Sequence, residues 1–221
     1  MKVLFVLSAW GIGGEQRAAS NLINKLILRG HSVEMITFKM FNKTIVLNPN
    51  VKISTLEDDF KLPFLKNINR MLKIRKIIKS EKYDAVIGFA IIPSILCSLA
   101  GIGLKSIVVI SERSDPRIYN GLYKVSRSIA YRLADGGVFQ TKAALDYFKG
   151  LKRIKKIVIP NPIEIDSLPD FHKGERSKRI VSIGRLVEVK NHKLLIDAFA
   201  KIYMDYPEYR LKVDPIVKTL I

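Results

Sequence analysis

The sequence predicts an α/β protein of two unequal parts. Residues 1–160 form a complete doubly wound, Rossmann-like domain with a parallel sheet, and residues 179–221 form the first strand–helix–strand part of a second such domain. Three observations carry this. Short apolar runs of the kind a strand buried on both faces requires recur along the first part, with helix-period segments between them. The rhythm breaks over 161–178, where proline and polar residues crowd into an interdomain linker. After the break, "RIVSIGRL", "HKLLIDAFAKIYMDY" and "YRLKV" restart the strand–helix–strand pattern once.

The strands follow in order. "KVLFVLS" (2–8), "SVEMITF" (32–38), "DAVIGF" (84–89), "SIVVISE" (106–112), "GGVFQ" (136–140) and "KIVIP" (156–160) are each bounded by glycine, proline or charge. In the first helix Ala19, Leu22, Ile23, Leu26 and Ile27 share a face, and Gly30 suits a C-terminal cap. The second helix, about 64–82, carries Phe64, Ile68, Met71, Leu72 and Ile78. The third, about 120–134, carries Leu122, Val125, Ile129 and Leu133. Strands alternating with helices in this way imply a parallel sheet covered on both sides. One strand–helix–strand unit cannot close a core alone, so the second domain reads as incomplete.

Composition narrows the class. A hydrophobic content of 48% in 221 residues supports a sizeable core. The single cysteine, Cys97, excludes an internal disulfide, and three scattered histidines show no metal-ligand spacing. The initial "MKVLFVLSAWGIGG" leads straight into a helix and lacks a small-x-small cleavage pattern, so it reads as a strand rather than a leader. Ala85 to Leu104 is twenty residues without a charge, but it holds Gly88, Pro93, Gly101 and Gly103, and reads as strand, loop and buried helix rather than a span. The net charge of +18 points to polyanionic partners, or simply to a lysine-rich proteome. Lys61, Lys66, Arg70, Lys73, Arg75, Lys76 and Lys79 crowd one segment, and Lys149, Lys152, Arg153, Lys155 and Lys156 another.

Three turns carry chemistry. "SAWGIGGEQRA" places Gly11, Gly13 and Gly14 between the first strand and its helix, where backbone N–H groups can approach an anion. It is neither a dinucleotide fingerprint, because Gln16 stands at the third glycine position, nor a phosphate loop, because no Gly-Lys-Ser/Thr follows. A tight turn without a ligand is the plain alternative. "SERSDP" follows a buried strand, and Glu112 or Asp115 can act as a base while Arg113 holds a phosphate; a solvated loop is the plain alternative. "GRLVEVKNH" is the strongest signal. Arg185 follows a strand and Lys190 opens a helix, so a guanidinium fork, an ammonium and a helix N-terminus converge, as a diphosphate requires.

Together these segments resemble the family 4 retaining glycosyltransferases of the GT-B fold. The carriers are "VLFVLSAWGIGGEQRAASNLINKLILRGHSVEMIT", "FQTKAALDYF", "VIPNPI" and above all "SIGRLVEVKNHKLLIDAFAKI". The chain looks most like the branch that extends polyprenyl-diphosphate-linked saccharides at the cytoplasmic face of the bacterial membrane. The resemblance implies two facing Rossmann-like domains, with a nucleotide-sugar such as a UDP-sugar as donor and a lipid-linked or oligosaccharide acceptor. Neither metal nor cofactor is implied. Arg185 and Lys190 would hold the donor diphosphate and stabilise its departure, Gly13 and Gly14 would approach the donor, and Glu112, Arg113 and Asp115 would face the acceptor. Lys66, Arg70, Lys73 and Lys76 would face an anionic membrane surface at its inner leaflet.

The resemblance also marks departures. Asp214-Pro215 stands where the family turns on glycine after "YRLKV", the family's E-x7-E motif is absent, and no histidine accompanies "SERSDP". The expectation is therefore a chain truncated within the donor domain, weakly active or inactive, with a non-catalytic membrane- or acceptor-binding module as the alternative. Nucleic-acid binding rests on charge alone, since no recognition helix or stacking aromatics support it. A nicotinamide oxidoreductase fails at Gln16 and at Thr37-Phe38-Lys39, where an acidic ribose ligand is required.

Overall fold

The computed structural model describes residues 1–56, 60–162 and 170–215. The chain divides into two compact units, 1–163 and 164–221. Most of the segment expected to link two domains, 161–178, thus lies outside the described residues or in the second unit.

In the first unit, β1 (Lys2–Leu7), β2 (Ser32–Thr37), β3 (Lys52–Thr55), β4 (Ala85–Phe89), β5 (Ile107–Glu112), β6 (Gly136–Phe139) and β7 (Lys155–Val158) form one sheet. The order is β3-β2-β1-β4-β5-β6-β7 and every pairing is parallel. The order reverses between β1 and β4, so the crevice at their C-terminal ends is where a doubly wound sheet receives ligands. β3 is not expected from the sequence: "KIST" is a four-residue edge strand, exposed at every position, with too little apolar patterning to declare itself.

Helix α1 (Gly14–Leu28) covers one face of the sheet through Ala18, Ala19 and Ile23. It ends as predicted near Gly30, whose φ of +79° closes the last turn while His31 N–H donates to Leu26. The other face is covered by α2 (Pro63–Glu81), α3 (Ile91–Ala100), α4 (Gly121–Ala130) and α5 (Lys142–Tyr147). The charge-free stretch is β4 plus α3, not a span, and among the described residues no helix is long and apolar enough to cross a membrane.

Two helices turn differently from their expected faces. In α2 the buried residues are Ile74 and Ile78, with Met71 and Ile77 partly covered, whereas Phe64, Ile68 and Leu72 are exposed. In α4 the inversion is complete. Leu122, Val125, Ile129 and, just beyond the helix, Leu133 all face outward, while Arg127 and Ala130 face inward. The reason is electrostatic. Glu112 ends β5 inside the protein, and Arg127 turns in to meet it, Nη1 lying 3.6 Å from Oε2. Tyr119, Tyr147 and Phe148 surround the guanidinium at 5.0–5.5 Å. A buried carboxylate must have a partner, and that requirement outweighs burying several aliphatic side chains on a helix that can expose them.

The second unit has β8 (Arg179–Gly184) parallel to β9 (Arg210–Pro215), with α6 (His192–Ile202) between. β9 runs through Asp214 to Pro215, so no turn replaces the expected glycine turn directly after Val213. No residue of α6 is buried; Leu194 is 61% exposed.

Candidate functional site

The first edge to consider is the C-terminal end of the large sheet. After β1 the chain runs through Trp10, which is buried and bonded to both Lys39 and Phe41 backbone groups. The three glycines here differ. A Cβ on Gly11 would strike the Phe41 ring, so Gly11 serves packing. Gly13 has an extended backbone any residue adopts, and a Cβ on Gly14 would meet nothing within 4 Å. Only Gly14 is free of a packing demand, because a Cβ on Gly13 would meet Gln16 Oε1 at 2.5 Å, in the amide whose Nε2 donates to the Ala9 carbonyl; the bare backbone at both positions stays approachable from outside.

Glu15 begins α1 beside them. Burial pushes its carboxyl up to about 7 against the pull of Arg113, and its Oε1 is buried with no hydrogen-bond partner among the described residues. Arg113, after β5, lies 4.1 Å over the Phe89 ring and donates from Nη1 to Asn161 Oδ1 at 2.9 Å. Its Nε is likewise buried and unpartnered among the described residues, and burial holds the guanidinium down at about 10. Gln140 Nε2 donates to the same Asn161 oxygen at 2.8 Å. Ala90, between β4 and α3, has φ +75° and ψ 179°, a region that glycine normally occupies, and its N–H donates to Ser111. The tight turn is set by Gly88, where any Cβ would collide with the Ser94 backbone.

The three residues expected on the acceptor side separate. Arg113 is at the edge. Asp115 is half-exposed and caps the short turn Pro116–Ile118, accepting from Arg117 N–H at 2.9 Å. Glu112 is inside: its carboxylate accepts from Tyr131 Oη at 3.0 Å and faces Arg127, and burial raises its pKa despite that partner. It is unavailable to an acceptor, which corrects the sequence expectation. In an alternating strand, neighbours such as Glu112 and Arg113 cannot both face the same way.

In the second unit the expected cations share one turn. β8 ends at Gly184, where a Cβ would press on the His192 ring at 3.3 Å and approach Lys190 Cγ at 3.8 Å. His192 Nε2 donates to the Arg185 carbonyl at 3.0 Å, tying the strand end to the start of α6. Asn191, left-handed at φ +44°, caps α6 by accepting from Leu194 N–H. Arg185 and Lys190 are both exposed at this turn, as a site for an external diphosphate requires. Of the cations expected to face a membrane, Lys73 and Lys76 are exposed, whereas Lys66 and Arg70 are half-buried, Arg70 lying 4.3 Å over Phe38. Among the described residues no group of three or more His, Cys, Asp or Glu side chains is placed to hold a metal ion.

Comparison with known proteins gives a consistent picture. The family model for the glycosyltransferase family 28 N-terminal domain matches residues 5–120. The chain is 29% identical over 212 residues to a Campylobacter jejuni alpha-1,4-N-acetyl-D-galactosaminyltransferase, covering 91% of this chain and 57% of that protein. That relative's full name specifies GalNAc-alpha-(1->4)-GalNAc-alpha-(1->3)-diNAcBac-PP-undecaprenol. An uncharacterized glycosyltransferase of Methanocaldococcus jannaschii is 30% identical over 190 residues, covering 72% of this chain and 47% of that one. The chain thus spans about half to three-fifths of the length of these curated relatives. Among solved structures, the apo lipopolysaccharide outer core galactosyltransferase WaaB superposes with TM-score 0.68 at 18% identity, over 96% of this chain and 60% of that one. HepE of Anabaena, in complex with UDP and glucose, gives 0.67 at 17% identity, over 98% and 62%. At such identities the likeness is one of fold.

Proposed function

The chain belongs to the family of the glycosyltransferase family 28 N-terminal domain, and from there we propose that it works in transfer of a sugar from a nucleotide-sugar, such as a UDP-sugar, to a saccharide carried on a polyprenyl diphosphate. The finer placement among the family 4 retaining enzymes rests on "SIGRLVEVKNHKLLIDAFAKI". The observation that carries the reading is the exposed turn bearing Arg185 and Lys190 between β8 and the capped start of α6. Breaking the bond between the sugar and the donor phosphate builds negative charge on the departing oxygen. Two cations fixed at that point stabilise the charge more in the transition state than in the ground state. They supply this charge without a metal, so chelation is expected to leave turnover unchanged. In this reading Gly13 and Gly14 are donor contacts and Arg113 an acceptor contact, roles that the resemblance implies.

The acceptor's lipid implies a membrane. On α2, Leu65, Ile68 and Leu72 face outward among Lys73, Lys76 and Lys79, and on α4 the aliphatic face is outward beside Lys124. Both helices pack on α3 on the same side of the sheet. Apolar residues interleaved with lysines suit the interface of an anionic leaflet, each cation contributing on the order of 1 kcal/mol. This supports a peripheral position at the inner face of the cell membrane, in synthesis of a bacterial surface glycan; no nucleic-acid partner belongs to this reading.

The test is transfer of radiolabelled sugar from UDP-N-acetylgalactosamine and related donors to undecaprenyl-diphosphate-linked saccharide, with and without EDTA. Turnover is expected to survive EDTA and to fall about 100-fold or more in Arg185→Ala and Lys190→Ala, the loss of a charge-stabilising donor. Wild-type rates in both variants would remove the assignment. Binding of the lipid-linked saccharide without any turnover would favour the non-catalytic module.

A further inference from the structure

Where the strands of the large sheet begin, at the edge opposite the crevice between β1 and β4, a cleft of about 880 Å³ opens between the end of α2 and the connection from α3 to β5. Its apolar lining comes from Ile78, Leu104 and Ile107. The polar atoms of the lining are already engaged. Tyr83 Oη donates to Glu34, Ser106 Oγ donates to the Tyr83 carbonyl, and Asp84 accepts from Lys2 N–H at 2.7 Å. The cations differ. Lys79, Lys82 and Lys105 line the same cleft, and among the described residues none of their ammonium groups has an ion pair or hydrogen bond. The acids close to this end of the sheet, Glu34 and Glu81, are both held by Lys2, at 3.2 and 2.7 Å.

Helix ends alone do not account for these cations. Lys79 and Lys82 close α2, where positive charge favours the helix dipole, but Lys105 lies beyond the last turn of α3. The carbonyls at the end of α3 are already served by Arg75, whose Nη1 donates to Ala100 and Ile102 at 2.8 and 2.7 Å. Three ammonium groups against the single carboxylate of Asp84 leave the cleft positive, above an aliphatic lining. Point-charge donors of this kind suit the oxygens of a phosphate, and aliphatic side chains suit a hydrocarbon attached to it. We propose that the cleft binds a phosphate ester carried on an apolar body, an anionic phospholipid, with the phosphate among Lys79, Lys82 and Lys105 and the first carbons of its chains against Ile78, Leu104 and Ile107. Taking a lipid rather than a free phosphate as the source rests on the membrane position proposed above; the cleft itself stands on its lining.

The test uses the isotope-labelled full chain and dihexanoylphosphatidylglycerol, kept dilute enough to stay monomeric, followed by amide NMR. Dihexanoylphosphatidylcholine and glycerol phosphate are the comparison probes. The anionic lipid is expected to shift the amides of 78–84 and 103–107, and each comparison probe to bind there roughly tenfold more weakly or less. Lys82→Gln and Lys105→Gln are each expected to weaken the anionic lipid roughly fivefold, the worth of one cation beside it. Both side chains are exposed, so neither change disturbs the core. Shifts confined to other residues, equal binding of the phosphatidylcholine, or affinity indifferent to both substitutions overturns the site. Glycerol phosphate binding as tightly as the lipid overturns the lipid as its occupant. Co-sedimentation of the same samples with anionic vesicles separates the two readings: lysine-dependent binding in the cleft of a protein that ignores vesicles keeps the site and removes the membrane position.

Discussion

At the scale of single residues, the edge of the large sheet concentrates uncompensated features. Glu15 is the clearest. Its carboxyl titrates near 4.5 when unfolded and at about 7 in the folded chain, because burial disfavours the anion and Arg113 only partly offsets it. Between those values the folded state binds the proton more tightly, so this residue's contribution to stability is full at low pH and is lost as pH rises toward 7. Glu15→Gln is therefore expected to be more stable than the parent by about 1–3 kcal/mol at pH 8, with the difference shrinking toward pH 5. Urea unfolding at pH 5, 6 and 8 measures it, and a constant difference across that range would show that Glu15 is not the group responsible. Ala90 supplies a second case. Its φ of +75° is one glycine adopts freely, so Ala90→Gly is expected to stabilise the protein by about 1 kcal/mol, visible as a raised Tm. A lowered Tm would mean the turn is not strained.

At the scale of elements, α4 tests whether pattern or partner decides which face is buried. Periodicity alone puts Leu122, Val125, Ile129 and Leu133 inside; the structure puts Arg127 there, against Glu112 and three aromatic rings. Arg127→Met is expected to cost about 3–5 kcal/mol, since Glu112 is then buried without a counter-charge. Ile129→Ser on the outer face is expected to stay within about 0.5 kcal/mol. Chemical denaturation of both variants checks the pair, and the opposite ranking would restore the periodic reading. The same logic explains α2. A helix laid over a sheet needs only a narrow apolar stripe, which Ile74 and Ile78 supply with Met71 and Ile77, so the other apolar residues are available for another surface.

At the scale of the whole molecule, that outward-facing material gives a measurable consequence. Co-sedimentation with vesicles containing anionic lipid is expected in 0.1 M salt and is expected to fall sharply at 1 M, where charges are screened beyond about 3 Å. Leu65→Glu with Leu72→Glu should weaken it at either salt concentration. Salt-insensitive binding would refute an electrostatic contribution.

The sequence by itself determined the α/β class, six of the seven strands of the large sheet, the change of rhythm after residue 160 and the cation-bearing turn at Arg185 and Lys190. These are local: a buried parallel strand must be a short apolar run, and a strand-to-helix turn with its cap is written within a dozen residues. The edge strand β3 escaped because four exposed residues carry almost no periodic signal. Only the tertiary structure decided that Glu112 is internal, that α2 and α4 turn apolar residues outward, and that Arg113, Gln140 and Asn161 are hydrogen-bonded together, with Glu15 close enough to Arg113 to feel its charge. Residues 15 and 161 lie far apart in the chain and are brought to one edge only by strand order. Which groups meet there, and which buried charge draws its partner inward, depends on contacts that no local pattern encodes.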